Sequence, residues 1–438
     1  MSKKLSVGFI SLGCDKNRVD TEKALAILSN EYLISNDPED ADVIVINTCA
    51  FLESSRKEAI EEILWACALK NIKPNLKIIV TGCLPQRFID EIYPELTEVD
   101  GFLGVSDYNQ LPNVIERVIQ GERVNIVGKP SGEPCKERVL TTFTHAYLKI
   151  SDGCSNHCTY CLIPSIRGAY RSVPLVDLVE EAKMLGEVNE LILVAQDTTK
   201  YGVDLPERPT LSLLIDKLSE LSNVKSIRIL YCYPEGITDE LIKTIKNNPK
   251  VIKYIDVPLQ HASDKTLKLM NRKGSKSEYL GLVEKLKKEI PDIAIRSTFI
   301  TGFPGETEQA FDDLVDFLQR AKLFNAGFFA YSREEGTPAY KLPNQIDKKT
   351  KTERLKKLYS VQKQVVKQNL ATFKGKTLKV VCEGFDQNYF TYYGRAYFNA
   401  PDIDGKVYFF SSDEVEVGKT YDVQIIKAQG YDLFGDRI

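Results

Sequence analysis

The sequence predicts an α/β protein in three parts: an N-terminal open parallel α/β sheet, a central partial (βα)6 TIM-like barrel, and a small C-terminal antiparallel β-barrel. Three observations carry this. Short apolar runs alternate with helix-period stretches up to about residue 331. A stretch holding Gly128, Pro130, Gly132 and Pro134, within 124–144, interrupts that alternation once and reads as a linker. Residues 374–438 instead alternate with period two between turn residues such as Asp404-Gly405 and Glu416-Val-Gly418. The domains are therefore expected at 1–130, 140–372 (with a trailing connector helix) and 373–438.

Composition narrows the class. Hydrophobic content of 43% and charged content of 27% are ordinary for a globular protein of 438 residues. A net charge of −3 supplies no global attraction for nucleic acid or anionic lipid. No apolar run approaches the roughly 20 residues needed to span a bilayer, so no membrane association and a cytoplasmic location are expected. Lys3-Lys4, a short apolar stretch and Ser11-Leu-Gly-Cys14 faintly resemble a lipoprotein signal, but read better as a first strand. Ten cysteines are too sparse for a disulfide scaffold and fit a reducing compartment, where thiolates stay available for metal. Three histidines exclude a His-rich metal site.

In the first part, strands are expected at 5–12, 43–47, 77–81 and 102–105, and helices at 18–30, 53–70 and 108–120. Cys14 follows the first strand, Cys49 the second and Cys83 the third. The carboxyl ends of strands in such a sheet face one crevice, so the three thiols converge there as candidate metal ligands. The alternative is three buried cysteines acting as small hydrophobes. Cys67, Cys135, Cys232 and Cys382 show no such placement.

In the second part, strands are expected at 146–150, 190–195, 225–231, 253–257, 292–300 and 324–331, with helices at 176–185, 265–271 and 277–289 among those between them. Barrels of this kind carry their chemistry on the loops after the strands. The first such loop holds Cys154, Cys158 and Cys161 in a C-x3-C-x2-C run. Three thiolates on one loop hold three irons of a four-iron cluster and leave the fourth open for chemistry. A zinc site or a thioredoxin-like Cys158-x-x-Cys161 are the alternatives, although zinc usually takes four ligands and no second knuckle follows. Gly153 permits the tight turn, His157 reads as a spacer, and Arg167 either meets a carboxylate or is solvated. Near the fifth strand, Gly302 and Gly305 allow close backbone approach and Glu306 is expected to begin a helix. The Lys- and Gln-rich helix at 347–373 reads as a solvated connector rather than a nucleic-acid helix.

The C-x3-C-x2-C spacing resembles the radical S-adenosylmethionine (SAM) superfamily, in which SAM chelates the open iron through its amino and carboxylate groups. That resemblance implies that Cys154, Cys158 and Cys161 hold the catalytic cluster, and that Gln196 and Asp197 grip the SAM amino group. Helix capping by Asp197 is the other reading. It also implies that Arg296 pairs with the SAM carboxylate and that the backbone at Gly302 and Gly305 cradles adenine or methionine. Taken with the Cys14, Cys49 and Cys83 sheet and the C-terminal barrel, essentially the whole chain resembles the methylthiotransferases. That family carries two 4Fe-4S clusters, one to cleave SAM and one to deliver sulfur, and its terminal barrel is a TRAM domain. An electron donor such as flavodoxin or ferredoxin is implied.

Two branches of the family compete. One modifies tRNA adenosine; the other modifies the β-carbon of an aspartate in ribosomal small-subunit protein S twelve. Ser11-Leu-Gly-Cys-Asp-Lys-Asn-Arg-Val-Asp20, Ile229-Leu-Tyr-Cys-Tyr-Pro234, Pro258-Leu-Gln-His261 and Tyr331-Ser-Arg-Glu-Glu-Gly336 resemble the second, with Arg333 where proline is typical. Charge points the same way. From Lys374 onward eight basic residues face ten acidic ones, a net of −2 that repels phosphate and suits a basic ribosomal protein, free or in the ribosome. No strong direct nucleic-acid binding is expected. Phe390, Tyr392 and Tyr393 can stack bases, but core packing of a small barrel is the favoured reading. The implied reaction is reductive SAM cleavage, hydrogen abstraction from the aspartate, sulfur transfer from the second cluster, and methylation by another SAM. An electron-transfer protein would need no SAM pocket, and a zinc scaffold would hold no iron.

Overall fold

The computed structural model describes residues 4–130 and 136–438. Strands β1 Ser6–Ser11, β2 Leu33–Ser35, β3 Val43–Thr48, β4 Lys77–Gly82, β5 Gly101–Leu103 and β6 Val124–Ile126 form a wholly parallel sheet in the order β2-β1-β3-β4-β5-β6. The order reverses at β1 and β3, so helices cover both faces. Helices α1 Asp15–Ser29 and α4 Leu111–Ile119 pack on one, α2 Glu53–Leu69 and α3 Cys83–Glu95 on the other. The central strand shows why: Val43 and Val45 pack with Leu28 and Val114, while Ile44 and Ile46 pack with Ile63 and Leu84. An apolar run with period-two side chains leaves neither face for water.

The sheet extends into the stretch read as a linker. Val124 is buried and β6 pairs with β5, so the parallel order runs to Ile126. An edge strand this short has too few residues to show a pattern. From residue 136 onward the chain is docked: Arg138 is buried against Glu22 and Glu181. Gly132, Pro134 and Cys135 lie outside the described residues.

The second sheet joins β7 Ala146–Lys149, β10 Leu191–Val194, β11 Ile227–Ile229, β12 Val251–Asp256, β13 Ala294–Thr301 and β14 Asn325–Ala330, all parallel and in chain order. Consecutive order places every right-handed crossover on one side. Helices α6 Leu175–Met184, α7 Leu211–Ser219, α8 Asp239–Asn247, α9 Asp264–Leu269, α10 Lys276–Glu289 and α11 Glu308–Ala321 supply those crossovers, and the outer core is built from them. The inner face, Tyr147, Ile192, Val194, Leu230, Tyr254 and Ala294, packs with Val19 of α1 and with the third domain. A ribbon of β8 Ser151–Asp152 and β9 Arg171–Ser172 brackets the cysteine loop, which contains the short α5 Ile163–Ile166. Glu306 lies before α11, whose N-cap is Thr307. The long helix α12 Lys348–Ala371 exposes its lysines except the half-buried Lys351 and buries Leu358, Val361, Val365, Val366 and Leu370, so it is a packed connector.

Strands β15 Thr377–Asp386, β16 Thr391–Arg395, β17 Val407–Phe410, β18 Thr420–Gln429 and β19 Asp432–Arg437 close a barrel around Val380, Phe398, Val407, Phe409, Val423 and Ile425. Of the aromatics expected in that core, only Tyr392 packs against it; Phe390 is 78% exposed and Tyr393 lies under the Lys406 ammonium. Their hairpin turns them outward, which composition does not reveal. This barrel stoppers the N-terminal end of the β7–β14 sheet. Glu190 receives Arg228 and, at 2.8 Å, Arg395; Tyr254 donates to Asp404 at 2.7 Å. Burial opposes charge on Glu190, but the two guanidiniums outweigh it and hold its carboxyl at about 2. No helix among the described residues is long and apolar enough to cross a membrane.

Glu190→Gln leaves the buried Arg228 without its carboxylate and Arg395 with Glu383 alone, and should cost about 3–5 kcal/mol, read as a lower urea midpoint. His145, bonded to Thr144 Oγ1 at 3.1 Å, is pushed down to about 4, first by burial and then by Arg395. The unfolded chain takes up that proton near pH 6.5, so stability should fall as pH drops from about 6.5 towards 4, by up to about 3 kcal/mol. In a urea series across that window His145→Asn should flatten the loss.

Candidate active site

Strands β1, β3 and β4 are neighbours, and their carboxyl ends deliver Cys14, Cys49 and Cys83 to one crevice at the point where the strand order reverses. Cys14 caps α1 and Cys83 opens α3, so two of the three thiols stand where a helix N-terminus favours negative sulfur. Polar groups knit the loops. Asn17 donates to the Leu12 and Thr48 carbonyls, both at 3.0 Å, and Asn47 donates to the Asn17 carbonyl at 3.0 Å. Gly13, at φ +92°, lies so close that a side chain there would meet Cys49 Cβ at 2.6 Å. Burial pushes the Cys83 thiol up to about 12, with Arg167 opposing; charge on Cys49 and Cys14 raises it further.

The barrel loop is closed by backbone. Cys154 N donates to the Gly168 carbonyl at 3.1 Å, and Gly153, at φ +71°, passes so near Ala169 that a Cβ would stand 2.2 Å from its carbonyl oxygen. Cys154 and Cys158 are buried, and burial pushes Cys161 up to about 12, with charge on Cys158 and Cys154 adding to it. His157 is an exposed spacer in the left-handed region, at φ +50°. Tyr233 brings its hydroxyl to 3.3 Å from Cys158 Sγ, and Arg272 stacks on the Tyr233 ring at 3.7 Å.

Arg167 joins the two places. It is fully buried rather than solvated, and contacts Asp152 at 3.0 Å and Asp20 at 3.2 Å. The same guanidinium donates to Asn17 Oδ1 at 2.6 Å and reaches Cys83 Sγ at 3.9 Å. Lys149 closes the group by pairing with Asp20 and, at 3.2 Å, with Asp152.

The remaining candidates divide. Gln196 continues the inward face of β10, and its Oε1 is buried without a partner. Asp197 is fully buried; Asn156 and Thr199 donate to it at 2.8 and 2.6 Å, so its side chain makes no helix cap. Arg296 is occupied elsewhere, held by Asp256 at 2.9 Å and by Asp404 of the small barrel at 3.5 Å. Gly302 and Gly305 have φ of +73° and +81°. Gly302 N donates to Glu306, whose carboxylate also takes Thr301, Arg354 and His261. His261 Nδ1 accepts from Ser263 N at 2.9 Å, which leaves Nε2–H to face Glu306 at 3.2 Å.

Family models described as Radical SAM superfamily, uncharacterized protein family UPF0004 and TRAM domain match residues 148–318, 6–104 and 375–438. A protein of Clostridium botulinum named ribosomal protein uS12 methylthiotransferase RimO is 47% identical, over 99% of this chain and 98% of its own. Proteins of the same name from Clostridium acetobutylicum and Alkaliphilus oremlandii are 46% and 44% identical, each over 99% of this chain and 98% and 99% of their own. The chain belongs to the RimO-type radical SAM methylthiotransferases. Among solved structures, the radical SAM methyltransferase TsrM of Kitasatospora setae aligns with a TM-score of 0.56 at 13% identity over 77% of each chain. The cobalamin-dependent SAM radical enzyme OxsB gives 0.52 at 12% identity, over 82% of this chain and 56% of its own. At such identities these two show the fold alone.

Several contacts around these loops of the methylthiotransferase were not legible in the sequence. Tyr233 and His261 fall inside motifs quoted for the resemblance, so their position was visible but their contacts were not. Lys16 lies over the Tyr231 ring at 3.3 Å and pairs with Asp15 at 3.0 Å, a contact between domains that no local pattern marks. Arg333, in place of the usual proline, stacks on Tyr340 at 4.4 Å. Gly153→Ala combines a left-handed φ with a backbone clash and is expected to open the loop. In metal-free protein, thiol labelling of Cys154 and Cys158 should accelerate at least tenfold, about 1.4 kcal/mol or more of lost protection.

Proposed function

We propose that this methylthiotransferase places a methylthio group on the β-carbon of an aspartate in small-subunit ribosomal protein uS12, with 4Fe-4S clusters at Cys154, Cys158 and Cys161 and at Cys14, Cys49 and Cys83. The observation that carries the reading is the buried Arg167, whose side chain reaches Cys83 of one trio and Asp152 just ahead of the loop that bears the other. The donor sets fit the clusters. Each trio gathers thiols that feel one another's charge. Among the described residues no three or more His, Cys, Asp or Glu side chains crowd as they do around one shared ion, and thiolates that each take a different iron of a cube stand wider than that.

When bound, the barrel cluster supplies the electron that cleaves SAM and the N-terminal cluster the sulfur. The chain's own groups do the positioning. Gln196 Oε1 is a free acceptor for the SAM ammonium, and Asp197 orients the cysteine loop through Asn156. Glu306, fixed by His261 and Arg354, holds the Gly302 turn through the Gly302 N–H, and the Lys351 side chain packs where a Cβ of residue 302 would stand. Arg296, with Nη1 on Asp256 and Nε near Asp404, is the candidate for the SAM carboxylate. In this reading the domains are 1–130, 140–372 and 373–438, the protein works in the cytoplasm with a flavodoxin- or ferredoxin-type donor, and its acidic terminal barrel disfavours RNA. Modification of tRNA is the competing activity.

Mass spectrometry of the uS12 peptide, before and after anaerobic incubation with SAM and reductant, should show a methylthio group on aspartate; tRNA should stay unmodified. Replacing Cys14, Cys49 and Cys83 together by alanine should lower iron from about eight to about four per chain and abolish methylthio transfer while SAM cleavage persists. Unchanged iron in that variant would sink the two-cluster reading.

A further inference from the structure

Arg167 sits between the trios in an unusual way. Its own carbonyl neighbour, Gly168, accepts from Cys154 N at 3.1 Å, so its backbone belongs to the barrel loop. Its side chain spans both domains: Nη1 donates to Asp152 at 3.0 Å, while Nη2 donates to Asn17 Oδ1 at 2.6 Å and Asp20 Oδ2 at 3.2 Å and lies 3.9 Å from Cys83 Sγ, the long range proper to sulfur acceptors. The guanidinium is buried, and Asp20 and Asp152 balance its charge. Asn17 and Asp20 share Nη2 with Cys83, so the guanidinium acts on the crevice as a shared donor at the Cys83 sulfur.

We infer that Arg167 is a positioning residue that tunes the N-terminal cluster, its N–H donated to the Cys83 sulfur making that cluster easier to reduce. This rests on the two-cluster reading above. A donor aimed at a cluster sulfur stabilises the reduced form, which carries one more negative charge, and burial strengthens the interaction by excluding water. The same side chain is anchored to Asp152, just ahead of the barrel cysteines. A shift of the barrel loop therefore moves the donor, and the redox balance of one trio is tied to the posture of the other.

The test uses the full chain with Cys154, Cys158 and Cys161 replaced by alanine, so that only the N-terminal cluster is seen. It is titrated anaerobically with dithionite and mediators, followed by visible absorbance and EPR. In that background Arg167→Gln should retain iron yet show an about tenfold lower reduced-to-oxidised ratio at fixed potential, a midpoint about 59 mV more negative for one electron. Arg167→Lys, which keeps a charged donor, should recover most of the shift. A midpoint unchanged in Arg167→Gln with iron retained overturns the inference and leaves Arg167 a structural rivet. Should Arg167→Gln fail to hold iron, the parent variant labelled with 15N-arginine decides: pulsed EPR of the reduced cluster should show a 15N coupling, and its absence overturns the inference. Absence of iron from the parent itself overturns the two-cluster reading, and the inference with it.

Discussion

The buried ion network along the seam between α1 and the β7–β14 sheet is the constraint on which the rest depends. Arg167 and Lys149 face Asp20 and Asp152; beside them Arg138 and Lys23 face Glu22 and Glu181. Cations and carboxylates balance there, so the seam is tolerable only as a complete set. Removing one member leaves a buried charge unpaired, at a cost of about 3–5 kcal/mol, whereas the intact set adds little net stability. Its value is register. Helix α1 buries Asn17, Asp20, Glu22 and Lys23 on the same helix whose N-cap is Cys14. Apolar packing tolerates a small rotation of such a helix; a set of paired charges does not.

A second seam repeats the logic at the other side of the crevice. Glu334, in the loop after the last strand of that sheet, accepts from Glu53 N at 2.8 Å and pairs with Arg87 at 3.1 Å and Arg56 at 3.4 Å. With Glu190 holding Arg228 and Arg395 beneath, each domain junction is fastened by a carboxylate placed where water cannot reach. This bears on the terminal barrel's acidity. Asp404 and Glu383 are engaged internally, with Arg296 and Arg395, so part of the negative charge that a residue count assigns to the surface faces inward. Phe390 and Tyr389 stand exposed at the barrel's hairpin.

The sequence by itself determined the order and kind of the three domains, because short apolar strand runs alternate with longer helical stretches and the last residues switch to a period of two. It also placed Cys14, Cys49 and Cys83 after three strands, since topology alone gathers strand ends in a parallel sheet. Tertiary structure decided what depends on partners far apart in the chain. Arg167 looks like an ordinary loop arginine until α1 folds against it, and Arg296 looks free until the terminal barrel delivers Asp404. The edge strand β6 and the outward Phe390 escaped for a related reason: a side chain's environment is set by which neighbour arrives. Local periodicity fixes the elements and therefore the cysteines they carry, whereas a guanidinium's role depends on its counter-charge, and the counter-charges here come from other domains.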